Sequence, residues 1–401
     1  MLAALAVDRD RIADNEAQIT QLESSTRGLR DEKDPLSRPH TASQISHLER
    51  SILTLRTEKE LAQERLSSYK YPVLTLPNEL ITEILIHFLP TFPKCPPTHG
   101  VFSPTVLTQI CSHLRRVAVA TPALWRAIQV FDRQDAPTIQ QQLLSCDIWF
   151  SRTRSITLTL EIRAASLPPI GFSSVLPHRA HWQHLKLELD DSSRLRSIIG
   201  PMPQLQHLEM RLPSIGGEAV ALHDVPLLHA VSLTYIDLAP VILPWAQLTS
   251  LILTTVFPRE YLPILEQASS LVYCELLIVF TGYLQFPPNV IRLPHLETLI
   301  LTDKEPRSGR HEQGDQGLLH FIIAHALQRL DVPTRFLGLD PVDSLRAFFS
   351  NSGCNLYELA IIGGPIKHSQ YVAAFPSIQN LYLDWEDEDD ESEDSESLFS
   401  V

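Results

Sequence analysis

Cysteines are few in this chain of 401 residues, and long apolar runs are absent. The five cysteines are scattered, odd in number and free of tight spacing: Cys95, Cys111, Cys146, Cys274 and Cys354. We therefore expect reduced thiols, as in the cytosol or the nucleus. No apolar run reaches about 18 residues, so a transmembrane helix is not expected. The opening MLAALAV is too short for a secretory signal and lacks its basic flank.

Positive charge is also scarce, with 33 lysines and arginines against 47 acidic residues and a net charge of −14. Nine of the acids fall in WEDEDDESEDSES at 385–397, which leaves about −5 for the rest of the chain. This balance gives nucleic-acid binding no electrostatic support. We expect residues 386–401 to form a disordered acidic tail, whose serines would suit an acid-directed kinase: Ser392, Ser395 and Ser397.

The sequence lacks the motifs that mark most catalytic centres. It has no phosphate-binding loop of the Walker or Rossmann type and no G-x-S-x-G motif, and HEQGDQG lacks the second histidine of a zinc protease. Cys95 and His99, like Cys111 and His113, form pairs whose spacings differ from those of structural zinc sites. We therefore expect no metal, no cofactor and no catalytic residue, although a pair of carboxylates among 47 acids stays open.

Residues 1–70 carry a seven-residue apolar period, which is typical of helices that pack along a narrow apolar seam. Pro35 and Pro39 separate two such stretches and should end the first helix. The apolar positions are Ile12, Ile19, Leu22 and Leu29, then Ile45, Leu48, Ile52, Leu55 and Leu66. The two helices would fold on each other as a hairpin or self-associate with a second copy. Asn15, Thr26 and Lys59 interrupt the seam, so two solvated, partly frayed helices are the alternative.

Residues 72–131 form an apolar block that favours helices. In LTLPNELITEIL, residues 74–85, Pro77 suits the first helical turn, and Asn78 and Glu79 suit the positive end of the helix. One helix cannot hide so many leucines and isoleucines, so they must pack against this chain or another one. After the proline-rich insertion PTFPKCPPTHGVFSP, we expect a second helix over TVLTQICSHLRRVAVA and a third from TPALWRAI, with Thr121 as its N-cap.

From about residue 150 a unit of the form apolar-x-x-apolar-x-apolar recurs. Its nine copies are WQHLKL, LQHLEM, LHAVSL, LTSLIL, LVYCEL, LETLIL, LQRLDV, LYELAI and IQNLYL, which start at residues 182, 205, 228, 248, 271, 296, 327, 356 and 378. This spacing is typical of stacked repeats. Each copy predicts a strand, and FPREYLPILEQASS and QGLLHFIIAHALQ predict helical return segments. The alternative is an ordinary α/β domain with unrelated strands.

The segment LTLPNELITEIL followed by VLTQICSHLRRVAVATPALWRAI resembles the F-box, a three-helix module, and residues 180–385 resemble irregular leucine-rich repeats. The resemblance implies a mixed α and α/β chain that contains a leucine-rich-repeat-like α/β solenoid. The domains would be an N-terminal helical hairpin or coiled coil at 1–70, the F-box at 72–131, the repeats at 132–385 and the disordered tail at 386–401.

In that family the F-box binds the Skp adaptor of a cullin-RING ubiquitin ligase, and the repeats hold a target protein for ubiquitin-dependent degradation. The resemblance therefore implies a non-catalytic substrate receptor of a Skp–cullin–F-box ligase, in the cytoplasm or the nucleus. Pro77 and Trp125 would be the main contacts of a helix-in-groove interaction. The full set that matches the family's adaptor contacts is Leu76, Pro77, Leu80, Ile81, Ile84, Leu85, Ile110, Cys111, Val117, Pro122, Leu124 and Trp125. The alternative for some of them, including Ile84 and Val117, is a place in the internal core.

Three features depart from the family pattern. The proline-rich insertion between the first two helices is longer than usual. Leu114 stands where the family usually has a tryptophan, and the repeats lack the asparagine ladder of regular leucine-rich repeats. The relative placement of the helices and the regularity of the solenoid are therefore the expectations that the sequence supports least.

Outward strand residues are the expected contacts for a target protein, because they mix both charges with hydroxyls and so suit a protein surface. They are Lys186, Glu188, Glu209, Arg211, Thr234, Thr254, Glu275, Thr302, Asp331, Tyr382 and Asp384. We expect no nucleic-acid or membrane partner. A structural interaction protein that binds the adaptor without cullin is the alternative function, and a hydrolase hidden in the repeats is a third.

Overall fold

The computed structural model describes residues 2–31, 38–68, 72–130, 139–164, 174–189, 195–196, 198, 200–211, 220–234, 241–279, 290–304, 318–363 and 368–384. The chain divides into two units, Met1–Glu83 and Ile84–Val401. The predicted acidic tail and its serines lie outside the described residues. None of the helices within these ranges is long and apolar enough to span a bilayer.

The first unit contains two long helices, α1 (Leu2–Asp31) and α2 (Arg38–Ser68). Ion pairs join the two helices, and as the residue number of the α1 partner decreases, that of the α2 partner increases. They are Arg30–Glu49 at 2.5 Å, Glu23–Arg56 at 2.7 Å, Glu16–Lys59 at 2.7 Å and Asp8–Arg65 at 2.9 Å. The helices are therefore antiparallel, so the hairpin is the arrangement that the structure contains.

The hairpin seam includes the polar residues that the sequence suggested would interrupt it. Asn15 and Thr26 are each only 6% exposed, and Lys59 is half-buried. The Thr26 hydroxyl donates to the Leu22 carbonyl at 2.8 Å, and Lys59 pairs with Glu16. Asn15 differs, because its Nδ2 is buried without a hydrogen-bond partner among the described residues. A buried asparagine of this kind fixes helix register at a cost in stability.

Helix α3 (Asn78–Phe88) begins directly after Pro77, as the sequence predicted. The predicted second helix is two helices, α4 (Pro104–Ile110) and α5 (Ser112–Ala120). The break lies at Cys111, whose backbone is extended with φ −157° and ψ 168°. The chain breaks there because each short helix has its own cap. The Ser103 hydroxyl accepts from the Thr105 amide at 3.2 Å, and the Cys111 sulfur accepts from the Leu114 amide at 3.4 Å.

The prediction of a third helix from Thr121 is wrong. Residues Pro122–Leu124 form one 3-10 turn, and Ala127–Val130 then form a strand, β1, that pairs in parallel with β2 (Leu158–Ala164). The Thr121 hydroxyl donates back to the Val117 carbonyl at 2.8 Å and makes no cap to the following turn. The sheet therefore begins inside the segment 72–131 that the sequence assigned to the helical block.

Within the described residues, eleven parallel strands form the main sheet, and they lie side by side in chain order. All nine predicted strands are present. Beyond β1 and β2, the strands of this sheet are β3 (Trp182–Leu189), β4 (His207–Arg211), β6 (Ala230–Thr234), β8 (Ser250–Val256), β9 (Tyr273–Ile278), β11 (Thr298–Asp303), β13 (Arg329–Pro333), β14 (Glu358–Ile362) and β15 (Asn380–Asp384).

The register of this sheet follows the repeated sequence unit. The third residue of each unit pairs with the third residue of the next, from His184 with His207 and Ala230 through to Glu358 with Asn380. The fourth and sixth residues are largely buried on one face, as Leu185 and Leu187 illustrate. The third, fifth and seventh residues lie on the opposite face, because strand side chains alternate. We call this second face the outer face.

The segments between these strands are less uniform than the strands themselves. The predicted return helix in FPREYLPILEQASS is present as α7 (Pro258–Gln267), and further helices are α6 (Ile139–Thr153), α8 (Pro341–Ser352) and α9 (His368–Ala374). The helix predicted in QGLLHFIIAHALQ is wrong, because Leu318–Phe321 form a 3-10 turn that leads into a short strand. Two small parallel pairs complete the unit: β5 (Val220–Ala221) with β7 (Val241–Ile242), and β10 (Ile291–Arg292) with β12 (Ile322–Ile323).

Candidate interaction surfaces

Helix α3 has an exposed apolar side. Leu80 is 52% exposed and Ile84 is 47% exposed, and their separation of one helical turn places them on the same side of the helix. Ile81 and Leu85, which lie on another side, are almost completely buried. Pro77, just before the helix, is exposed as well. This segment is rich in leucine and isoleucine because α3 has two apolar sides. One side packs in the core, and the other is exposed to solvent.

The remaining predicted adaptor contacts fall into two groups. Ile110 at the end of α4 is 59% exposed, and Leu76, Cys111 and Pro122 are half-buried. The other group is buried and consists of Ile81, Leu85, Val117, Leu124 and Trp125. A buried side chain has no surface to offer a partner unless the fold opens. These five residues are therefore core residues, and their prediction as direct contacts is corrected accordingly.

Trp125 is the clearest of these corrections. Its side chain is fully buried, and its indole Nε1 donates to the Ala118 carbonyl at 2.8 Å. The ring meets that of Trp149 edge to face at 5.3 Å, and the Arg152 guanidinium lies 4.2 Å from the ring centroid. Both neighbours come from α6, which follows in the chain. The sequence could not show this contact, because nothing local links residues 125 and 149.

The predicted target contacts with a side chain that the structure describes lie on the outer face, where several already pair with one another. Lys186 and Glu209 on neighbouring strands are 2.7 Å apart, and Glu188 and Arg211 are 3.3 Å apart. All four side chains are at least 40% exposed. Exposed pairs of this kind contribute little to stability, so their charges remain available to a partner.

A second charged group lies farther along the sheet. Arg329 contacts Asp331 on its own strand at 2.8 Å and Glu358 on the next strand at 3.1 Å. Tyr382 on the last strand is 55% exposed. For Asp384 the structure gives the register position, opposite Ile362, in the same alignment as the other seventh residues. The fold thus places the predicted target contacts at outer-face positions of one sheet.

Between the two charged groups the outer face is almost uncharged. Strands β6, β8, β9 and β11 present Thr234, Thr254 and Thr302, as predicted, but also Ile252, Leu277 and Ile300. These three apolar side chains are half-buried and were not predicted, because the predicted target contacts were the charged and hydroxyl-bearing outward residues. Their outward position could have been predicted from the sequence, since each stands at the fifth or seventh position of its repeated unit.

Glu275 is the only carboxylate among the fifth and seventh residues of these four strands. Its carboxylate accepts a hydrogen bond from the Tyr273 hydroxyl at 2.7 Å. The pKa of Tyr273 is raised to about 12, mainly by burial and to a smaller extent by this hydrogen bond. The hydroxyl therefore stays a donor at neutral pH. The Glu275 charge is therefore already engaged within the chain.

The outer face also carries a groove that the sequence did not predict. It has a volume of about 540 Å³. Its floor crosses strands β2, β3, β4, β6 and β8, and one wall is formed by Thr91, Pro93, Lys94 and Cys95 of the proline-rich insertion. We call this feature the groove. A volume of this size lies within the usual range of ligand-binding clefts.

The proline-rich insertion is held on the sheet by specific contacts. The Phe92 ring meets the His184 ring edge to face at 5.3 Å, and the Arg126 guanidinium lies 3.9 Å from the Phe92 centroid. The Cys95 thiol is buried and donates to the Thr159 carbonyl at 3.9 Å. Burial raises the pKa of this thiol to about 12, so it stays protonated and unreactive at neutral pH.

Histidines form part of the groove floor. His184 and His207 stack at 4.2 Å with an interplanar angle of 15°, and His229 meets His207 edge to face at 4.8 Å. Burial, with a smaller effect of the neighbouring histidines, lowers the pKa of His184 to about 4. The same two causes lower the pKa of His207. His184 is therefore neutral at pH 7, as is His207, and neither adds positive charge to the floor.

The zinc hypothesis can be compared with the positions of the described cysteines and histidines. Within the described ranges, no group of three or more histidine, cysteine, aspartate or glutamate residues is arranged to hold a metal ion. Of the cysteines that prompted the zinc hypothesis, Cys95 packs against the sheet and Cys111 caps α5. Both thiols thus have structural roles.

A scan of protein-family models and a search of curated proteins find no match to the chain.

Proposed function

We propose that the chain is a non-catalytic substrate receptor of a Skp–cullin–F-box ubiquitin ligase. In this proposal the helical segments after residue 72 bind an adaptor of the Skp type, and the outer face of the sheet binds a target protein. The observation that carries the proposal is the exposed apolar side of α3, where Leu80 and Ile84 lie one helical turn apart and about half exposed. The chain would work in the cytoplasm or the nucleus.

The exposed apolar residues support an interface because water is a poor solvent for them. Leu80, Ile84 and Ile110 each leave about half of their side-chain surface in solvent. Neighbouring exposed apolar side chains, such as Leu80 and Ile84 on α3, usually mark a protein interface, and an amphipathic helix suits docking into a groove of a partner. Full burial of an exposed leucine or isoleucine contributes roughly 1.5–3 kcal/mol, and these side chains are already about half buried, so each would contribute roughly half of that at an interface.

The adaptor contacts in this proposal are the predicted residues that retain accessible surface. They are Leu76, Pro77, Leu80, Ile84, Ile110, Cys111 and Pro122. The buried members of the original set would instead hold these positions in place. Trp125, for example, packs on Trp149 and bonds to α5 through the Ala118 carbonyl.

The sheet supports the second part of the proposal, a leucine-rich-repeat-like solenoid that holds a target. Eleven parallel strands follow one another in chain order, and the repeated unit keeps the same register from strand to strand. Stacking of equivalent units is the defining property of solenoids, and their extended faces commonly bind proteins. The outer face offers paired charges, hydroxyls and three apolar side chains for such binding.

The mechanism needs no catalytic group in this chain. An adaptor bound at one part of the chain and a target bound at another would be held close together. Tethering raises the effective concentration of a target lysine near the ubiquitin-charged enzyme, so the transfer behaves as an intramolecular step. The contribution of this chain would therefore lie in binding and positioning alone.

Co-purification tests the proposal and separates it from the non-ligase alternative. The full chain, expressed with a Skp-type adaptor and a cullin, should recover both, and Leu80→Glu with Ile84→Glu should recover neither. Leu339→Glu is the matched control, because Leu339 is 62% exposed and the change is the same. Recovery of the adaptor without cullin would favour the structural interaction protein, and recovery of neither by the unaltered chain would contradict both.

A further inference from the structure

The side chains along the groove floor change from large to small from one strand to the next. They are large on β3 and β4, where His184, Lys186 and His207 stand, and then become small on β6 and β8. The small residues are Ala230, Ser232 and Ser250, which we call the shelf. The shelf is a depression between the histidines and Ile252, so it has room for one apolar side chain from outside.

The length of the groove suits an extended peptide. Its floor crosses five neighbouring strands, β2, β3, β4, β6 and β8. Neighbouring strands lie about 4.8 Å apart, so the groove is about 19 Å long. An extended chain advances about 3.3 Å per residue, so about six residues would lie along it.

The charges of the groove favour a peptide with one carboxylate. Glu161 pairs with Arg163 at 2.8 Å and Lys186 pairs with Glu209 at 2.7 Å, so these charges are balanced within the chain. Lys94 on the wall is exposed, and its ammonium has no carboxylate partner among the described residues. His184 and His207 are neutral at pH 7 for the reason given above. Among the charged side chains that line the groove, Lys94 is therefore the one without a carboxylate partner in the described residues.

The floor also has unused hydrogen-bonding capacity. Thr159 is 6% exposed, and its Oγ1 has no hydrogen-bond partner in the described part of the chain. The same holds for Nδ1 of His207. Buried polar atoms without partners are unusual in folded proteins, so the floor is a place where packing within the described residues leaves hydrogen bonds unmade.

We propose that the groove binds an extended segment of a target protein, with an apolar side chain on the shelf and a carboxylate at Lys94. The inference rests on the proposed function in that it identifies where the target is held. It adds that the proline-rich insertion, which departs from the family pattern, is a wall of the site. Recognition would depend on the side chains of the peptide and on its extended form.

Fluorescence polarisation with the purified full chain and no adaptor tests the inference. The probes are labelled peptides of about six residues, which match the groove length. Each carries one phenylalanine or leucine and one aspartate at varied spacing in a glycine-serine background, and a matched series carries lysine in place of aspartate. At least one aspartate peptide should bind, and its lysine counterpart should bind about tenfold more weakly or worse, as expected for a carboxylate at Lys94.

Variants locate the binding in the groove. Ser232→Tyr should abolish binding by filling the shelf, whereas Ala360→Tyr should not, because Ala360 is at the same unit position on β14 outside the groove. Lys94→Gln should weaken binding about tenfold, and Lys94→Arg should restore it, because the charge is kept. Lys94 is exposed, so its variants should fold even if Ser232→Tyr does not.

The inference is overturned if no aspartate peptide binds, if lysine and aspartate peptides bind equally, or if Lys94→Gln binds like the unaltered chain. A small molecule retained by the purified chain in native mass spectrometry and lost in Ser232→Tyr would also overturn it, since the groove would then hold a metabolite. Because the assay contains no adaptor, its failure leaves the adaptor interaction standing. Likewise, if the chain binds the peptide but does not bind the adaptor, only the ligase assignment is contradicted.

Discussion

The indole rings of Trp125 and Trp149 meet edge to face, with centroids 5.3 Å apart and an interplanar angle of 86°. Both rings are fully buried. Trp125 follows the helical block directly, and Trp149 belongs to α6 between the first two strands of the sheet. This contact makes the end of the helical block and the start of the sheet parts of one core. A boundary drawn near residue 131 therefore crosses a packed region.

Trp125→Ala should lower the free energy of unfolding of the second unit by about 3–5 kcal/mol, because it removes a buried ring and leaves a cavity. Ile84→Ala, at a half-exposed position of the same unit, should change it by less than about 1 kcal/mol. Urea denaturation followed by circular dichroism measures both. Equal and small effects of the two substitutions would show that Trp125 is not the core residue that its burial indicates.

Asn15→Leu should stabilise the helical hairpin by about 1–3 kcal/mol, since it removes a buried amide that has no partner for its Nδ2. Gln18→Leu is the matched control, because Gln18 is exposed on the same helix. Hydrogen exchange of the α1 and α2 amides reports the local stability. Slower exchange in the control than in Asn15→Leu would argue that the asparagine stabilises the seam.

Two glycines should respond to alanine with opposite signs. Gly28 lies inside α1, and a Cβ there would meet nothing within 4 Å, so Gly28→Ala should stabilise the hairpin by about 0.5–1 kcal/mol. Gly353 ends α8 with φ +59°, a left-handed conformation, so Gly353→Ala should destabilise its unit by about 1–2 kcal/mol. Thermal unfolding of both variants beside the unaltered chain checks the signs. A stabilising Gly353→Ala would contradict the assigned backbone conformation.

The stacked histidines make stability depend on pH. The folded-state pKa of His184 is about 4, below the ordinary value near 6.5, so the unfolded chain binds a proton more readily. This contribution is complete above about pH 6.5 and is lost as the pH falls from there towards about 4. The urea midpoint should therefore fall between pH 7 and pH 5. His184→Phe, which keeps a ring in the stack, should show a smaller fall, and an unchanged fall would exclude His184 as the cause.

The repeated unit predicted the sheet well because its information is local. In LETLIL, for example, Leu299 and Leu301 alternate with Thr298 and Ile300, and the structure buries the first two and leaves the others on the outer face. The same alternation assigned the inward and outward residues of the nine predicted strands without any knowledge of their neighbours. The seven-residue period of residues 1–70 worked for the same reason.

The predictions failed where contacts between residues distant in sequence determine the local structure or the burial of a side chain. A good N-cap and proline at Thr121 and Pro122 predicted a helix, but pairing with β2 turns Ala127–Val130 into a strand. Trp125 was expected at an interface, because the segment alone does not reveal that Trp149 covers it. The groove was missed for a similar reason, since only packing of Phe92 on His184 places the proline-rich insertion over the sheet.

Isothermal titration calorimetry of the full chain with a purified Skp-type adaptor tests the central claim most directly. The account predicts one-to-one binding with a dissociation constant in the micromolar range or below, about −8 kcal/mol or stronger. Leu80→Glu with Ile84→Glu should remove the heat of binding, and Leu339→Glu should retain it. No binding by the unaltered chain, or equal binding by the double variant, would contradict the claim that the exposed side of α3 is an adaptor interface.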